Sequence, residues 1–260
     1  MSGHSDVIGA REARPCKCCG GAAAWFGAVD FAKACAPTSL PAAGWSVAYH
    51  RCGACGFLFS TLLDDWSHDR LRRDLYNDDY VLVDPEVVEV RPERVADLVD
   101  RLFGGAKPDT RVFDYGGGSG VLARKLAARG FAEVAGADPF FGSTEAPPRF
   151  IDLMVCVEVV EHLTVPDAAF AAAGAALNPD GALFFTTLLQ PADIARQGAG
   201  WWYLAPRNGH VSLHTAASLR LLCARHGLAF ASINETLHLA WRGMPRCAAP
   251  IIAKLAPQPA

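Results

Sequence analysis

The sequence lacks the features that would assign it to a membrane, secreted or repeat protein. It has no apolar run near the roughly 20 residues that a transmembrane helix needs, and its first residues contain no apolar signal core. No internal repeat is visible, and the formal net charge is only -3. Charge therefore favours neither nucleic acid nor a membrane surface as a partner. We expect a cytoplasmic protein whose oligomeric state the sequence leaves open.

Cysteine, in contrast, is abundant for a chain expected in a reducing compartment. There are nine cysteines, and five of them lie in two tight clusters. The members of the clusters are Cys16, Cys18 and Cys19 in the first, and Cys52 and Cys55 in the second. The other four stand among apolar neighbours, which predicts small buried side chains, whereas clustering indicates metal binding.

Four of the clustered cysteines form two C-x-x-C-G motifs, Cys16 with Cys19 and Cys52 with Cys55. Each motif places two thiolates on one side of a tight turn, and four sulfurs can surround Zn²⁺ tetrahedrally. We therefore predict a closed, structural zinc site in a small zinc-ribbon-like module. A redox dithiol and an iron–sulfur cluster stay open as alternatives. Cys18 has the wrong spacing for either motif, so its role stays open as well.

Strand-like and helix-like segments alternate through the second half of the chain, separated by glycine-rich and Asn-Pro-Asp-Gly breaks. This alternation predicts an α/β fold with a mostly parallel sheet and an antiparallel final strand. Four regions are expected in chain order. They are a zinc module with a disordered tail over 1–63, a helical connector over 64–106, a catalytic domain over 107–245 and a C-terminal tail over 246–260.

The segment from Asp114 to Gly120 reads D-Y-G-G-G-S-G and stands where a strand-like segment gives way to a helical one. Glycines permit a sharp turn and the close approach of a ligand to the backbone. Asp138 ends the next strand-like segment, a position suited to binding ribose hydroxyls. The spacing G-x-G-x-G differs from the G-x-G-x-x-G of dinucleotide sites, and Asp114 would repel a pyrophosphate but attract a cationic ligand.

This stretch, with IDLMVCVEVVEHL and LNPDGALFFTT behind it, resembles the signature motifs of class I S-adenosylmethionine-dependent methyltransferases over roughly residues 92–242. The resemblance implies a Rossmann-like sheet and a cofactor site. The implied cofactor-binding residues are Asp114, Tyr115, Gly116, Gly118, Asp138, Pro139 and Glu158. Only PFFGSTEAPPR lies between Asp138 and Phe150, too short for a helix and a strand. We expect the third strand of the family to be reduced or absent, or that edge to be rebuilt by Phe140 and Phe141.

Glu158, Glu161 and His162 directly follow a strand-like segment, where α/β sheets bind ligands. The segment EVVEH resembles that of the ubiquinone-pathway O-methyltransferases and of the small-RNA 2′-O-methyltransferases. In those families a metal held by these side chains and a later histidine binds the acceptor, which implies a divalent cation such as Mg²⁺ here, with His210 or His214 as the later ligand. Direct general-base catalysis by His162 or His210 stays open, as does a cofactor contact by one glutamate. The predicted acceptor-activating residues are Glu158, Glu161, His162 and His210.

Aromatic residues accompany these motifs, with Tyr76 and Tyr80 ahead of the catalytic domain and Trp201–Tyr203 ahead of His210. The segment WWYLAPRNGHVSLHT resembles that of sugar- and natural-product-modifying methyltransferases, and Arg207 within it is expected to be solvated. We predict S-adenosylmethionine-dependent methyl transfer to a small-molecule hydroxyl on a sugar or natural product. The alternatives are C-methylation of a nucleotide-linked sugar, RNA methylation, and a non-catalytic zinc-ribbon binding protein.

Overall fold

The computed structural model describes residues 12–86, 89–141 and 147–255. Its strands are, in chain order, β1 (Arg14–Pro15), β2 (Ala22–Asp30), β3 (Ser46–Cys52), β4 (Leu58–Phe59), β5 (Arg111–Tyr115), β6 (Glu133–Ala137), β7 (Ile151–Val157), β8 (Leu177–Thr186), β9 (Ser212–Leu213), β10 (Ala229–Ser232) and β11 (Leu237–Trp241). Its helices are α1 (His68–Asp74), α2 (Tyr80–Val83), α3 (Val90–Phe103), α4 (Val121–Ala128), α5 (Ala168–Ala176), α6 (Ile194–Gln197), α7 (Ala216–Arg225) and α8 (Ala249–Leu255). Single 3-10 turns occupy Gly104–Asp109, Gly198–Gly200 and Pro206–Asn208.

The chain divides into two compact units that are discontinuous in sequence. The first, which we call the cysteine unit, consists of the described parts of Met1–Pro85, Glu161–Pro166 and Leu188–Leu221. The second, the parallel-sheet unit, consists of the described parts of Glu86–Val160, Asp167–Thr187 and Leu222–Ala260. The regions expected from the sequence are continuous along the chain. In the structure, two later segments, Glu161–Pro166 and Leu188–Leu221, belong to the same unit as the cysteine motifs.

The parallel-sheet unit is built on a six-stranded sheet in the order β10-β11-β8-β7-β5-β6. Neighbouring strands from β6 to β8 run parallel, while β11 runs antiparallel to β8 and β10 antiparallel to β11. This arrangement confirms the predicted fold class. Among the described residues no strand pairs with the outer side of β6, so the third strand of the family is absent from this part of the sheet.

An apolar core fixes α3 against this sheet. The buried face of α3 consists of Val95, Ala96, Val99 and Phe103. It packs in one cluster with side chains of the sheet that include Leu153, Val155 and Phe184, and each large apolar side chain removed from water contributes about 1.5–3 kcal/mol. The same cluster contains Cys247, Ala248, Ile251 and Ile252. The region expected to be a tail therefore contains the packed helix α8.

The cysteine unit is built on an antiparallel sheet in the order β1-β2-β3-β4-β9. Its longest pairing joins β2 to β3, with an irregularity between Trp25 and Gly27. The last strand, β9, comes from far along the chain and pairs with β4 through Leu58 with Leu213 and Phe59 with Ser212. Side chains from both parts of the chain share one apolar cluster, which makes this unit a single folded body rather than a detached zinc ribbon.

The region 64–106, for which the sequence predicts a helical connector, contains the helices α1, α2 and α3. Helix α1 begins after Ser67, whose Oγ accepts a hydrogen bond from the N–H of Arg70 at 3.2 Å, the usual way of satisfying a free N–H at a helix start. Of the helices in the described ranges, none combines the length and the apolar character that a bilayer crossing requires.

Candidate functional site

A glycine turn connects β5 to α4 in the parallel-sheet unit. Gly116, Gly118 and Gly120 have φ values of 74, 56 and 75°, in the left-handed region that glycine adopts readily. Space is restricted as well, because a Cβ at Gly116 would lie 2.6 Å from a methyl carbon of Val159. Both conformation and packing therefore require glycine in this turn.

Asp138 holds the glycine turn in place from the end of β6. Its carboxylate accepts hydrogen bonds from the N–H of Gly118 at 3.0 Å and from the N–H of Phe140 at 2.8 Å. An open cleft lies beside these groups, and the 67% exposed ring of Phe141 forms part of its wall. The cleft is lined by Gly117, Gly118, Ser119, Gly120, Gly136, Ala137, Asp138 and Phe141. Glycine backbone, a carboxylate and an aromatic ring thus meet at one cleft.

Asp114 is a buried carboxylate at the end of β5. It is 1% exposed, and its Oδ2 has no hydrogen-bond partner among the described residues. Burial, assisted by the negative charge of Asp138, raises the pKa of Asp114 to about 7. A ligand cation would stabilise the ionised form, whereas a pyrophosphate would add a second like charge. The glycine turn and this carboxylate therefore fit S-adenosylmethionine, which carries an ammonium group and a sulfonium.

The other expected cofactor residues occupy the ends of neighbouring strands. Tyr115 is the half-buried last residue of β5, and Pro139 is exposed directly after Asp138. Glu158, just past β7, has a φ of 52°, which is strained for a residue other than glycine. The N–H of Glu158 donates to Oγ1 of Thr186 at 2.9 Å, and that hydroxyl donates back to Oε1 of Glu158 at 2.7 Å. This reciprocal pair fixes the direction of the glutamate side chain.

Glu161, His162 and His210 form a compact cluster in the cysteine unit. Their side-chain ligand atoms all lie within 4.8 Å of one another. Glu161 and His210 are buried and His162 is half-buried. Of the other residues named from the sequence, Glu158 belongs to the parallel-sheet unit, and His214 lies with its Nδ1 3.5 Å from Oγ of Ser218. The structure therefore brings together three of the four predicted acceptor-activating residues.

Two tyrosines orient this cluster. The hydroxyl of Tyr203 donates to Oε1 of Glu161 at 2.6 Å, and the hydroxyl of Tyr76 lies 3.3 Å from Nδ1 of His162. Nδ1 of His210 lies 2.9 Å from the carbonyl oxygen of Tyr203, which requires the proton on Nδ1 and leaves the lone pair on Nε2. In the sequence both tyrosines stand out only as aromatic residues near the motifs.

The loop before His210 supports the cluster in a way the sequence did not indicate. Arg207 is only 5% exposed and donates to the carbonyl oxygen of Leu75 at 2.7 Å and to Oδ1 of Asn77 at 2.9 Å. The expectation that Arg207 is solvated is therefore wrong. Gly209 has a φ of 90°, and a Cβ there would lie 2.9 Å from Nδ1 of His162, so only glycine leaves room for the imidazole.

The cluster does not fit the magnesium ion that the resemblance implied. Mg²⁺ prefers an octahedron of oxygen ligands, most of them carboxylates, phosphates or water. Glu161, His162 and His210 offer one carboxylate and two imidazoles, a set suited to acid–base chemistry or to softer metals.

The four cysteines of the C-x-x-C-G motifs meet in the cysteine unit. Their sulfurs lie within 4.8 Å of one another, with 3.7 Å between Cys16 and Cys55 and 3.5 Å between Cys19 and Cys52. A tetrahedron with Zn–S bonds near 2.3 Å has edges of about 3.8 Å. Gly20 and Gly56, which close the two motifs, have φ values of 76 and 72°. The sulfur set therefore fits a closed, four-coordinate zinc ion.

Known proteins resemble parts of this chain. The chain is 32% identical over 104 residues to the ubiquinone biosynthesis O-methyltransferase of Neisseria meningitidis serogroup A, covering 30% of this chain and 44% of that protein. The enzyme of the same description from Yersinia enterocolitica is 26% identical over 124 residues, covering 38% and 50%. This chain thus spans about half the length of these relatives. Magnesium protoporphyrin IX methyltransferase from Synechocystis PCC 6803, solved with bound SAH, is similar at a TM-score of 0.45 and 19% identity, covering 70% of this chain and 96% of that one.

The family assignment rests on a match to more than half of the chain. The profile described as a methyltransferase domain matches residues 87–233. That range contains the glycine turn, Asp138, the EVVEH segment and His210. The chain belongs to the methyltransferase domain family.

Proposed function

We propose that the protein transfers a methyl group from S-adenosylmethionine to the hydroxyl of a small molecule, a sugar or natural product. The observation that carries this proposal is the glycine turn braced by Asp138, with the buried carboxylate of Asp114 beneath it. Its position inside the matched range 87–233 supports the same reading. The O-methyltransferase description of the relatives supports oxygen as the atom that is methylated.

In this proposal the parallel-sheet unit holds the cofactor. S-adenosylmethionine, when bound, supplies an electrophilic methyl group on a sulfonium centre. Gly116 and Gly118 let the backbone approach the ligand closely, and Asp138 accepts hydrogen bonds from the ribose hydroxyls. Asp114 would provide the negative charge for the ammonium group, and Phe141 would cover the adenine. Pro139, Tyr115 and Glu158 complete the surroundings of the cofactor.

The cysteine unit, in the same proposal, supplies the groups that activate the acceptor. We assign the proton-accepting role to His162, because it is the more exposed of the two clustered imidazoles. An imidazole titrates near neutral pH, so it can take the hydroxyl proton as the oxygen becomes nucleophilic. Glu161 carries a negative charge beside the imidazolium that forms, and His210 restricts the position of both.

Zinc is the third part of the proposal. Cys16, Cys19, Cys52 and Cys55 hold one Zn²⁺ ion, and four protein ligands leave no open position for a substrate. The ion therefore has a structural role. Metal analysis of protein purified without chelator should give one zinc per chain, and a metal-free preparation that folds normally would contradict this part.

Calorimetric titration with S-adenosylmethionine tests the methyltransferase assignment directly. We expect a single site, and no binding at millimolar ligand would rule the assignment out. A panel of phenolic, sugar and polyketide hydroxyls then identifies the acceptor through the release of S-adenosylhomocysteine. His162→Gln should keep cofactor binding and lose turnover. His68→Gln, which alters an exposed histidine of α1, is the matched control and should keep both.

A further inference from the structure

The backbone around the Glu161–His162–His210 cluster is built from strands that begin or end at the cysteine motifs. Strand β4 follows Cys55 closely and pairs with β9, which follows His210. The N–H of Ser60 extends this ladder by donating to the carbonyl oxygen of Val211 at 3.0 Å. The second cysteine motif and the segment of His210 therefore share one stretch of sheet.

Strand β9 joins that stretch to the segment of Glu161 and His162. The N–H groups of Val211 and Ser212 both donate to the carbonyl oxygen of Glu161 at 2.9 Å. The Oγ of Ser212 donates to the carbonyl oxygen of Leu163 at 2.6 Å. Because Ser212 is fully buried, these bonds are shielded from water and fix the main chain on both sides of His162.

Two side chains next to the zinc ligands make further bonds to the same segments. Lys17, between Cys16 and Cys19, donates through Nζ to the carbonyl oxygens of Ser60 at 3.1 Å and Thr164 at 3.2 Å. Nζ of Lys17 also pairs with the carboxylate of Asp64. On the second motif, Tyr49 precedes Cys52 on β3, and its buried hydroxyl donates to the carbonyl oxygen of His210 at 2.7 Å. A side chain inside the first motif thus bonds the main chain two residues after His162, and a side chain three residues before the second motif bonds the main chain of His210.

A bound metal would dominate the energetics of this arrangement. Four thiols without a metal interact only through weak S–H contacts. A structural zinc ion binds with a free energy far larger than that of a single hydrogen bond, and this energy becomes folding energy. Lys17 and Tyr49 are the side chains through which a change at the cysteine centre would reach the cluster, while every lining residue of the cofactor cleft belongs to the other unit.

We propose that the four-cysteine centre positions the acceptor-activating cluster, so that loss of its metal displaces Glu161, His162 and His210 and leaves S-adenosylmethionine binding intact. The inference rests on the proposed function. It goes beyond a stabilising zinc ion because it assigns the effect of the metal to one half of the reaction. The four-cysteine centre affects the residues that activate the acceptor, and Lys17 is a positioning residue that helps to hold them in place.

Metal removal from the protein is the first test. The imidazole C–H resonances of the eight histidines are recorded with zinc bound and after chelation, with assignments from His162→Gln and His210→Gln. We expect the resonances of His162 and His210 to shift or broaden, and the calorimetric Kd for S-adenosylmethionine to stay within about twofold. Unchanged resonances would overturn the inference.

Lys17→Met separates this effect from general unfolding, because Lys17 is not a sulfur ligand. The variant should keep one zinc per chain and the wild-type Kd for S-adenosylmethionine, while the His162 resonance moves. The matched control is Lys107→Met in the parallel-sheet unit, where Nζ likewise bonds a carbonyl oxygen, that of Arg129, and a carboxylate, that of Asp100. This control should leave the His162 resonance in place.

The outcomes separate the two proposals. If chelation abolishes both the resonances of His162 and His210 and cofactor binding, the Lys17→Met variant becomes the deciding test. A His162 resonance in that variant identical to the wild-type resonance overturns the inference. Wild-type protein that holds zinc but binds no S-adenosylmethionine would refute the proposed function, while the link between the cysteine centre and the histidines would still be measured by the same spectra.

Discussion

Replacing Asp114 by asparagine should remove the loss in the free energy of unfolding that the ionisation of this buried carboxyl group causes as pH rises. Burial and the charge of Asp138 raise the pKa of Asp114 from 3.8 to about 7. The folded chain therefore keeps this proton to higher pH than the unfolded chain, and the free energy of unfolding falls as pH rises from about 4 to 7. Between pH 5 and pH 8 this single group removes about 2–3 kcal/mol from the stability of the ligand-free protein.

Urea unfolding of ligand-free protein between pH 5 and pH 8 measures this effect. The free energy of unfolding of Asp114→Asn should rise by about 2–3 kcal/mol relative to that of the wild type across that range. Asp97→Asn, which alters an exposed carboxylate of the same unit, should remain parallel to the wild type. Cofactor binding should move in the opposite direction, with the Kd for S-adenosylmethionine at pH 8 rising at least about tenfold because a charged partner of the ammonium is lost.

Two results would refute this reasoning separately. A difference in unfolding free energy between Asp114→Asn and wild type that does not vary with pH would show that the carboxyl group titrates normally. An unchanged Kd at pH 8 would show that the carboxylate does not contact the cation of the cofactor. A variant that is more stable and binds less well would identify Asp114 as a residue kept for function at the expense of stability.

Three further substitutions test the geometry of the two units. Gly118→Ala should raise the Kd for S-adenosylmethionine about tenfold or more by calorimetry, because it places a methyl group in the cleft. Gly130→Ala is the control, because it introduces the same left-handed backbone strain of about 1–2 kcal/mol at a glycine with no neighbour within 4 Å of the added Cβ. Equal Kd values for Gly118→Ala and Gly130→Ala would contradict a steric effect in the cleft. Gly209→Ala should displace the imidazole of His162, lowering methyl transfer to the acceptor found by the screen while the Kd for the cofactor holds. Tyr203→Phe removes the hydroxyl that donates to Glu161 and should lower the free energy of unfolding in urea by about 1.5–3 kcal/mol. A change below about 0.5 kcal/mol would contradict a hydrogen bond from Tyr203 to a buried carboxylate of Glu161.

The cofactor turn and the cysteine centre could be predicted from the sequence because their determinants are local. The glycines at 116, 118 and 120 are needed for backbone conformations that few other residues adopt. Each C-x-x-C-G motif likewise contains its own turn. The short segment between Asp138 and Phe150 likewise predicts a third strand that is reduced or absent, and among the described residues no strand pairs with the outer side of β6.

Pairing between distant segments could not be predicted in the same way. Strand β9 has only two residues, and nothing in Ser212–Leu213 indicates that Leu58–Phe59 is its partner. The EVVEH motif is continuous in sequence, yet Val160 and Glu161 belong to different compact units. The burial of Arg207 could not be predicted for a related reason, because an arginine in a loop is usually solvated. Its acceptors, the carbonyl oxygen of Leu75 and the amide oxygen of Asn77, lie far away in sequence.

The pairing of β4 with β9 also determines the order in which parts of the cysteine unit can fold during synthesis. Leu58 leaves the ribosome long before its partner Leu213, and at typical rates of translation the delay is roughly 8–30 s. During that interval both cysteine motifs are available while the strand that completes their sheet does not yet exist. Metal capture can therefore precede the pairing of β9, and a chain stalled between these two points would expose the edge of β4 to other nascent chains.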